Sequence, residues 1–399
     1  MIKYLTLNYA IALFAVILLL LLSTSIPSYA SLPFVDNLCQ KHTSIAEMLE
    51  KKALPAVVNV VSFTAISPET DPAYKYFFNI PENSEGEQQY LRKSGTGVII
   101  DSKKGTIITN YGLVLGADSI KVTLQDQRTL RAAVIGVDPD IDLAVLDIDA
   151  DDLVALKLAD SDKIKVGDFS VAISDSFDLG KSVATGLVSS IGGKVFNGSI
   201  YEIFVQTEAS LNQFHGGGIL IDLHGEMIGM NAAIIKLDRM RTAINLIAPS
   251  NIVMSSVEQI FRYGNVIRGD LAIAVQNLTP ELKHAFNIPN DITGVIITQA
   301  EQPLNQVPTN KNDITLKPGD MILEIDGKEV ANRLQLIRSI YTHRFGDEIE
   351  LKTVSEGLTK TINIKLGTKY SDIKDPMDSS MNPDKTLGDF ELREGDSKL

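Results

Sequence analysis

The chain has 399 residues, which suggests two or three domains, and 44% of them are hydrophobic, enough to bury a core. A formal net charge of −13 at pH 7 argues against nucleic acid as a partner, because proteins that bind nucleic acid present basic surfaces. The only cysteine, Cys39, excludes an intrachain disulfide, so the fold must rest on its own core.

The N-terminal segment has the pattern of a secretory signal peptide. Lys3 precedes an apolar run from Ala10 to Leu22, and Ser28-Tyr29-Ala30 places small residues where a signal peptidase cleaves. The apolar run is shorter than the roughly 20 residues that cross a bilayer. We therefore expect cleavage after Ala30, and retention of residues 10–26 as a membrane anchor is the alternative. In both cases the rest of the protein lies beyond the inner membrane, in a bacterial periplasm.

Short segments rich in Val and Ile follow one another from about Ala53 to Pro249. They end at clusters of Gly, Asp, Asn or Lys and have no long helix between them, which predicts an all-β barrel or sandwich. The predicted strands are Ala56–Ser62, Gly97–Ile100, Thr106–Thr109, Ile120–Leu124, Ala132–Val137, Leu143–Ile148, Phe169–Ile173, Ile203–Gln206, Gly218–Ile221, Met227–Met230 and Ile244–Ile247.

Helices are predicted on both sides of this region. The first covers Thr43–Leu54, where Ser44 followed by Glu47 forms a capping pattern. The second covers Pro249–Tyr263, and its apolar residues fall on one face: Ile252, Val253, Val257, Ile260 and Phe261.

The segment Pro68–Lys93 interrupts the strand series. It is polar and lacks strand periodicity, which predicts a mobile surface loop. Its aromatic patch, Tyr74-Tyr76-Phe77-Phe78, needs burial, and contact with another subunit would supply it. Both interpretations remain open.

The pattern changes between Arg268 and Leu366. Leu316–Asp320 is a turn before the strand Met321–Ile325, and Asp326-Gly327 has the composition of a tight hairpin turn. A helix is predicted from the spacing of Leu334, Ile337, Ile340 and Tyr341, and a closing strand from Ile362, Ile364 and Leu366. Residues 368–399 are polar and predict a flexible tail.

Several motifs stand in order along most of the chain. They are Ile45–Lys51 with Leu54–Val58, Ser94–Ile100, Asp140–Leu146, Asp160–Asp162 with Val166–Asp168, Gln206–Ala209, Ala248–Asn251 and Arg268–Ile273. Each is weak alone, but together they resemble the HtrA/Deg family of trypsin-fold peptidases. The resemblance implies a mostly β protein, with a trypsin-like double β-barrel over residues 31–264 and one PDZ domain over residues 265–367.

The same resemblance places a Ser-His-Asp triad on this sequence. The family's histidine falls on Gly112, in Thr109–Ala117, its serine on Gly216, in Asn212–Leu220, and its aspartate on Asp142. Hydrolysis needs a hydroxyl to attack and an imidazole to move its proton, and glycine supplies neither. We expect Asp142 to persist as a buried carboxylate bound to water or backbone donors, because unpaired burial is costly.

The loops around the expected site have changed as well. Ser174–Gly180 lacks two glycines and a proline of the family's Gly-Asn-Pro-Phe-Gly-Leu-Gly, and Phe214 replaces a glycine. His215 would lie beside position 216, but no Ser, Cys or Thr stands where a nucleophile is needed, since Ser210 lies upstream. No metal or other cofactor is expected, because the remaining histidines are dispersed: His42, His224, His284 and His343.

The run Arg268-Gly269-Asp270-Leu271-Ala272-Ile273 resembles the carboxylate-binding loop of the family's PDZ domain. In such loops backbone N–H groups receive a peptide C-terminus, and the peptide adds to a strand edge. Ala272 stands where the family usually has glycine, and its methyl group adds bulk beside the incoming carboxylate. Even with this bulk, peptide binding by these six residues is the favoured prediction.

These observations predict a periplasmic pseudopeptidase of the HtrA/Deg type. It would bind unfolded polypeptides or exposed peptide C-termini, as a holdase or as a regulatory subunit that assembles with an active HtrA/Deg peptidase. Analogy with the family adds a homotrimer or a multiple of it. Two alternatives stay open: weak endopeptidase activity from the retained scaffold, and a relic without a binding role.

Overall fold

The computed structural model describes residues 45–66, 89–175, 180–192, 201–209, 217–236, 243–286, 288–300 and 316–367. The α-helices of this part are α1 (Ile45–Met48), α2 (Tyr111–Val114), α3 (Ser250–Tyr263), α4 (Pro280–Ala285) and α5 (Arg333–Thr342). The strands are β1 (Val57–Ile66), β2 (Gln89–Asp101), β3 (Thr106–Asn110), β4 (Ser119–Thr123), β5 (Thr129–Asp138), β6 (Leu143–Asp147), β7 (Phe169–Asp175), β8 (Lys181–Ile191), β9 (Val205–Thr207), β10 (Ile219–Ile221), β11 (Met227–Lys236), β12 (Ala243–Pro249), β13 (Ile273–Asn277), β14 (Val295–Ala300), β15 (Met321–Ile325), β16 (Lys328–Glu329), β17 (Glu348–Ser355) and β18 (Leu358–Lys365).

The first six strands close a barrel in the order β1-β2-β3-β6-β5-β4. Its interior is filled by branched side chains without solvent exposure, among them Val60, Ile107 and Leu146. The hairpin of β1 and β2 extends as far as the pair Ile66 and Gln89, so residues 89–93, predicted as loop, are strand. Neither face of this extension is buried, since Tyr90 and Leu91 are both exposed, and alternation therefore does not mark it.

The next six strands close a second barrel in the order β10-β11-β12-β9-β8-β7. Strand β8, 11 residues long, has no counterpart among the predicted strands. It exposes Val183 and Leu187 and carries Gly186 at its centre, so it lacks the pattern of a half-buried strand. The strand predicted over Ile203–Gln206 begins later, because Tyr201–Ile203 forms a 3-10 turn before β9.

One hydrophobic core joins the two barrels. It combines Val98 and Ile141 of the first barrel with Ile219 of the second and with Val253 and Val257 of α3. Helix α3 confirms the helix predicted over Pro249–Tyr263, except that it begins one residue later, at Ser250. Phe261 was wrongly placed on its buried face: it is 46% exposed, and the Lys104 ammonium lies 5.4 Å from the centre of its ring.

The predicted N-terminal helix is only partly regular. Helix α1 is followed by a π-helical turn over Leu49–Ala53 and a 3-10 turn over Leu54–Ala56. The capping residue Ser44 lies outside the described residues. The described residues from Met48 onward, which include both barrels, form one compact unit.

A third sheet follows in the order β13-β14-β15-β17-β18, with β16 paired to β15 across the predicted turn at Asp326-Gly327. Strand β13 is one edge of this sheet. Helix α3 ends at Tyr263 and β13 begins at Ile273, on either side of the predicted domain boundary at 264. Two closed barrels and a third sheet with short helices confirm the mostly β fold class.

Helix α5 packs on two cores at once. Leu336 and Ile340 lie in the core of the third sheet, whereas Ile337 and Tyr341 pack against the core of the barrels. The guanidinium of Arg338, only 8% exposed, donates from Nε and Nη2 to the carbonyl oxygen of Ile203, at 3.1 and 2.9 Å. The third sheet is thereby fixed to the second barrel through buried contacts.

Three predicted features lie outside the described residues. They are the apolar segment 10–26, the aromatic patch at residues 74–78 and the tail at residues 368–399. Within the part that the structure describes, no helix has both the length and the apolar character needed to span a bilayer.

Candidate functional site

Gly112 and Asp142 lie side by side because two paired strands bring them together. Strands β3 and β6 are antiparallel, with Asn110 at the end of β3 opposite Leu143 at the start of β6. Helix α2 leaves β3 at once, and a 3-10 turn delivers Asp142 to β6 with a left-handed backbone, φ 52°. The sequence motifs therefore converge where a triad histidine and aspartate would stand.

The carboxylate of Asp142 is held by two N–H donors. The Gly112 N–H donates to Oδ1 at 2.7 Å, and Asn110 Nδ2 donates to Oδ2 at 2.8 Å. This arrangement confirms that Asp142 finds backbone donors without a histidine. Burial raises the pKa of Asp142 to about 6, and the hydrogen bonds from Gly112 and Asn110 only partly oppose it.

The raised pKa predicts how Asp142→Asn changes stability with pH. The carboxyl group of Asp142 has a pKa of about 6 in the folded protein and 3.8 in the unfolded chain, so the folded state binds its proton more tightly. The free-energy cost of ionising Asp142 in the folded state is therefore absent below pH 3.8 and complete above pH 6. One pKa unit corresponds to about 1.4 kcal/mol. The free energy of unfolding of Asp142→Asn, relative to that of the wild type, should therefore rise by up to about 3 kcal/mol between these two pH values. Urea denaturation across this range measures the gain.

Asp147→Asn is the matched control for this prediction. Asp147 is the exposed residue at the other end of β6, so its replacement should leave the pH dependence of stability close to that of the wild type. A constant difference between Asp142→Asn and the wild type at all pH values would contradict a costly buried carboxylate.

The third triad position, Gly216, lies outside the described residues, whereas the next residue, Gly217, lies against Asn110. A Cβ atom at Gly217, whose φ is 58°, would lie 1.9 Å from Asn110 Oδ1, so only glycine fits there. Asn110 Nδ2 also donates to the carbonyl oxygen of Asn231 at 2.7 Å, and the Asn231 N–H donates to Gly218 at 2.9 Å. Asn110 therefore links the Asp142 carboxylate to Gly217 and to Asn231 on β11 of the second barrel.

Asn110 and Asn231 were not identified from the sequence as site residues. Both are buried, but only Asn110 contributes its side chain; Asn231 contributes its main-chain N–H and carbonyl oxygen. The available signal was the position of Asn110 in Thr109-Asn110-Tyr111-Gly112, two residues before the expected histidine.

The other histidines do not assemble a second reaction centre in the described residues. His224 is exposed and pairs with Asp222, whereas His343 contacts Asp326 and the carbonyl oxygen of Ser339. His284 lies on α4, and His42 and His215 fall outside the described residues, as do Ser210 and Phe214. Among the described side chains there is no group of three His, Cys, Asp or Glu able to hold a metal ion.

Arg268, the first residue of the predicted carboxylate loop, points its guanidinium at the first barrel. Nη1 and Nη2 donate to the two carboxylate oxygens of Asp138 at 3.0 and 2.5 Å, and Nη2 also donates to Ser256 Oγ at 3.1 Å. Asp140 lies 3.3 Å away, and the guanidinium carbon stacks 4.0 Å from the centre of the Tyr341 ring. This buried network joins the first barrel, α3, α5 and the start of the third sheet.

The remaining loop residues bring main-chain groups to the edge strand β13. Gly269 N–H donates to the carbonyl oxygen of His343 at 2.9 Å, and Asp270 exchanges two backbone hydrogen bonds with Gly367. Leu271 is buried, and Ala272 has a left-handed backbone with φ 52° before Ile273 opens β13. Within the described part of the chain, the N–H groups of Leu271 and Ala272 have no hydrogen-bond acceptor.

Comparison with protein families identifies both halves of this architecture. The family model described as "Trypsin-like peptidase domain" matches residues 95–230, which include positions 112, 142 and 216. The model described as "PDZ domain" matches residues 269–366, which include β13, α5 and most of the loop at 268–273.

Individual proteins match over most of the chain. The periplasmic serine endoprotease DegP of Salmonella typhimurium is 35% identical over 352 residues, which cover 82% of this chain and 73% of that protein. The periplasmic pH-dependent serine endoprotease DegQ of Escherichia coli is 32% identical over 383 residues, covering 94% and 82%. The solved structure of the HtrA-type protease AlgW with a tripeptide matches with a TM-score of 0.57 at 29% identity, covering 82% of this chain and 98% of that one.

Proposed function

Because the chain belongs to the HtrA/Deg family of trypsin-fold serine proteases with a PDZ domain, we propose that it is an inactive member that binds polypeptides. The observation that carries the proposal is the state of the triad positions. Asp142 keeps its place and its donors, whereas position 112 carries no ring beside it and position 216 carries no hydroxyl. Acyl transfer then lacks both the nucleophile and the base that activates it.

Peptide binding is supported by the geometry of the 268–273 loop. Two N–H groups, of Leu271 and Ala272, stand without acceptors at the start of β13, and β13 is an edge strand that a peptide can extend. The structure of AlgW, a relative, was solved with a tripeptide and with a decapeptide. The ligands proposed for this chain are unfolded polypeptides and exposed peptide C-termini.

Arg268 takes no direct part in this binding. Its guanidinium is 7% exposed and is occupied by Asp138 and Ser256, so the backbone of the following residues supplies the donors. The proposed role of Arg268 is to hold the loop against the first barrel.

The named relatives DegP and DegQ are periplasmic, and the same compartment is proposed for this chain, with residues 1–30 as its targeting segment. There it would act in protein quality control, as a holdase or as a regulatory subunit beside an active HtrA/Deg peptidase. A homotrimer or a multiple of it is proposed by analogy with the family.

Weak endopeptidase activity is the second candidate, because the Asp142 carboxylate and its Asn110 contact are retained. A scaffold without its triad leaves about 10³–10⁴-fold catalysis over water, far below a working protease. Incubation of the full chain with denatured casein and with a fluorophosphonate probe separates the two candidates. Cleavage or covalent labelling above a buffer control would refute the inactive assignment.

Binding is tested on the full chain with fluorescent peptides that end in a hydrophobic residue, compared as free acids and as amides. We expect saturable binding of the acids, weaker binding of the amides and slower aggregation of a denatured client. Absence of all three effects would leave only a relic without a binding role.

The variant Ala272→Gly should improve both the fold and the binding. A left-handed backbone costs a residue with a Cβ about 1 kcal/mol, so the free energy of unfolding should rise by about 0.5–1 kcal/mol, and removal of the methyl group should tighten binding of the acid peptides. Ala274→Gly, two residues later on β13 with an extended backbone, is the matched control and should lower stability by about 0.5–1 kcal/mol. Equal effects of the two variants would contradict strain at Ala272.

A further inference from the structure

Arg333, the first residue of α5, lies at the far end of the peptide-binding edge. Its backbone N–H donates to Oδ1 of Asn277, the last residue of β13, at 2.6 Å. The proposed carboxylate donors, the N–H groups of Leu271 and Ala272, stand immediately before the first residue of the same strand. A peptide that pairs antiparallel with β13, with its C-terminus at these donors, therefore has its earlier residues beside Asn277 and Arg333.

The register of this pairing determines which ligand residue reaches Arg333. With the carboxylate at the N–H groups before β13, the last ligand residue faces Ile273, and the fifth residue from the C-terminus faces Asn277. Opposite residues of antiparallel strands point to the same face of the sheet, with their Cβ atoms about 5 Å apart. The Asn277 side chain reaches the backbone of Arg333, so the side chain of the fifth ligand residue lies beside Arg333 as well.

The guanidinium of Arg333 has donors left for a ligand. Nη1 donates to Oε1 of Glu202 at 2.6 Å, and this is its one hydrogen bond to a side chain or backbone group among the described residues. A guanidinium carries five N–H groups, so four remain. A carboxylate fits this planar group best, because its two oxygens accept two parallel N–H donors.

Solvent exposure decides which charge of the Arg333–Glu202 pair a ligand meets. The side chain of Arg333 is 42% exposed, whereas that of Glu202, on the 3-10 turn before β9 of the second barrel, is 9% exposed. A ligand therefore reaches the cation and not the anion. An Asp or Glu at the fifth position gains a charge-assisted hydrogen bond, whereas a Lys there meets a like charge.

On the basis of the proposed peptide binding at β13, we propose that Arg333 selects polypeptides with Asp or Glu at the fifth residue from the C-terminus. The carboxylate of that residue accepts N–H groups of Arg333 that Glu202 leaves unused. The guanidinium is then shared between the ligand and the second barrel. A ligand of four residues or fewer gains nothing from Arg333.

The selectivity is tested by fluorescence anisotropy with the full chain and octapeptides that carry a dye at the N-terminus. All peptides end in leucine as a free acid and differ only at the fifth residue from the C-terminus, which is Glu, Gln or Lys. We expect the Kd of the Glu peptide to be about threefold to tenfold lower than that of the Gln peptide, and the Lys peptide to bind most weakly. Moving the Glu to the fourth residue from the end, whose side chain points to the other face, should remove the advantage.

Variants assign the selectivity to Arg333. Arg333→Gln combined with Glu202→Gln removes both charges of the pair, leaves no buried carboxylate unpaired, and should bind the Glu and Gln peptides equally. Glu202→Gln alone frees the whole guanidinium and should enlarge the preference for Glu. Lys352→Gln is the matched control, because Lys352 is a cation of the same exposure, paired with Glu324 on strands that do not adjoin β13. It should keep the wild-type preference.

The possible results distinguish the role of Arg333 from peptide binding itself. Equal Kd values of the Glu and Gln peptides for the wild type, or a preference that persists in the folded double variant, would overturn the role of Arg333 and leave binding at β13 intact. Absence of saturable binding by all the peptides would contradict both. A thermal melt reports whether each variant is folded, and Glu202→Gln with the shifted-Glu peptide tests the selectivity even where the double variant does not fold.

Discussion

Replacing Arg268 with alanine is expected to lower the free energy of unfolding by about 3–5 kcal/mol, the usual cost of breaking a buried ion pair from one side. Asp138, 1% exposed, would be left with only the Ser256 hydroxyl as a donor from α3. Tyr341 would lose the guanidinium stacked at 4.0 Å from its ring, and with it one contact between α5 and the barrels. Urea denaturation of the full chain measures the loss.

Arg344→Ala is the matched control for this result. Arg344 also stacks on a tyrosine, Tyr263, at 4.2 Å and donates to Asn265, but it is only partly buried and forms no ion pair with Asp138. Its replacement should cost about 1 kcal/mol. A loss below that value for Arg268→Ala would mean that the network does not hold the third sheet to the barrels.

The paired change Gly112→His and Gly216→Ser is expected to raise peptidase activity above that of the wild type. The histidine Cβ fits beside Asp142, 3.6 Å from Oδ1, so the carboxylate is in place to orient the new ring. We expect fluorophosphonate labelling and casein cleavage on the order of 10²-fold above the wild type, because oriented nucleophile and base act as a unit. The gain is limited by the altered Ser174–Gly180 and Phe214 segments.

Each single variant should remain at the wild-type level, since a serine without a base and a base without a nucleophile are both ineffective. Adding Asp142→Asn to the pair should remove most of the gained activity, which attributes it to the rebuilt triad. A folded pair variant with no activity at all would show that the changed loops alone prevent catalysis.

Strands are predicted correctly where the hydrophobic residues alternate or form a continuous run. Strands that are defined mainly by backbone pairing with a neighbour, without such a pattern, are missed. Met227–Met230 and Leu143–Leu146 are buried runs, and both lie in strands. Strand β8 and residues 89–93 are held by backbone pairing, and their exposed apolar residues break the period of two in hydrophobicity: Val183, Leu187, Tyr90 and Leu91. Helix α3 was predicted from its apolar face, but the exposure of Phe261 depends on how the helix sits on the barrels.

At the site, local motifs predicted which residues meet but not what their neighbours do. Gly112 and Asp142 were paired through the family motifs, and the need of a buried carboxylate for donors followed from its chemistry. Arg268 stands in a loop motif, but its guanidinium reaches Asp138, 130 positions earlier in the chain. Asn110 likewise bridges to Asn231, 121 positions away. Such long-range partners depend on the packed fold, which short motifs do not encode.

Because helix α5 packs against both the core of the barrels and the core of the third sheet, the chain cannot be divided between them without exposing part of α5. Residues 265–367, produced alone, would present Ile337 and Tyr341 to water and leave the Arg338 guanidinium without the Ile203 carbonyl oxygen. The PDZ domain is therefore not structurally independent of the barrels. A chimera that carries the PDZ domain of a relative needs residues at positions 337, 338 and 341 that fit these barrels. A substitution at one of these three positions is therefore expected to need a matching change in the barrels.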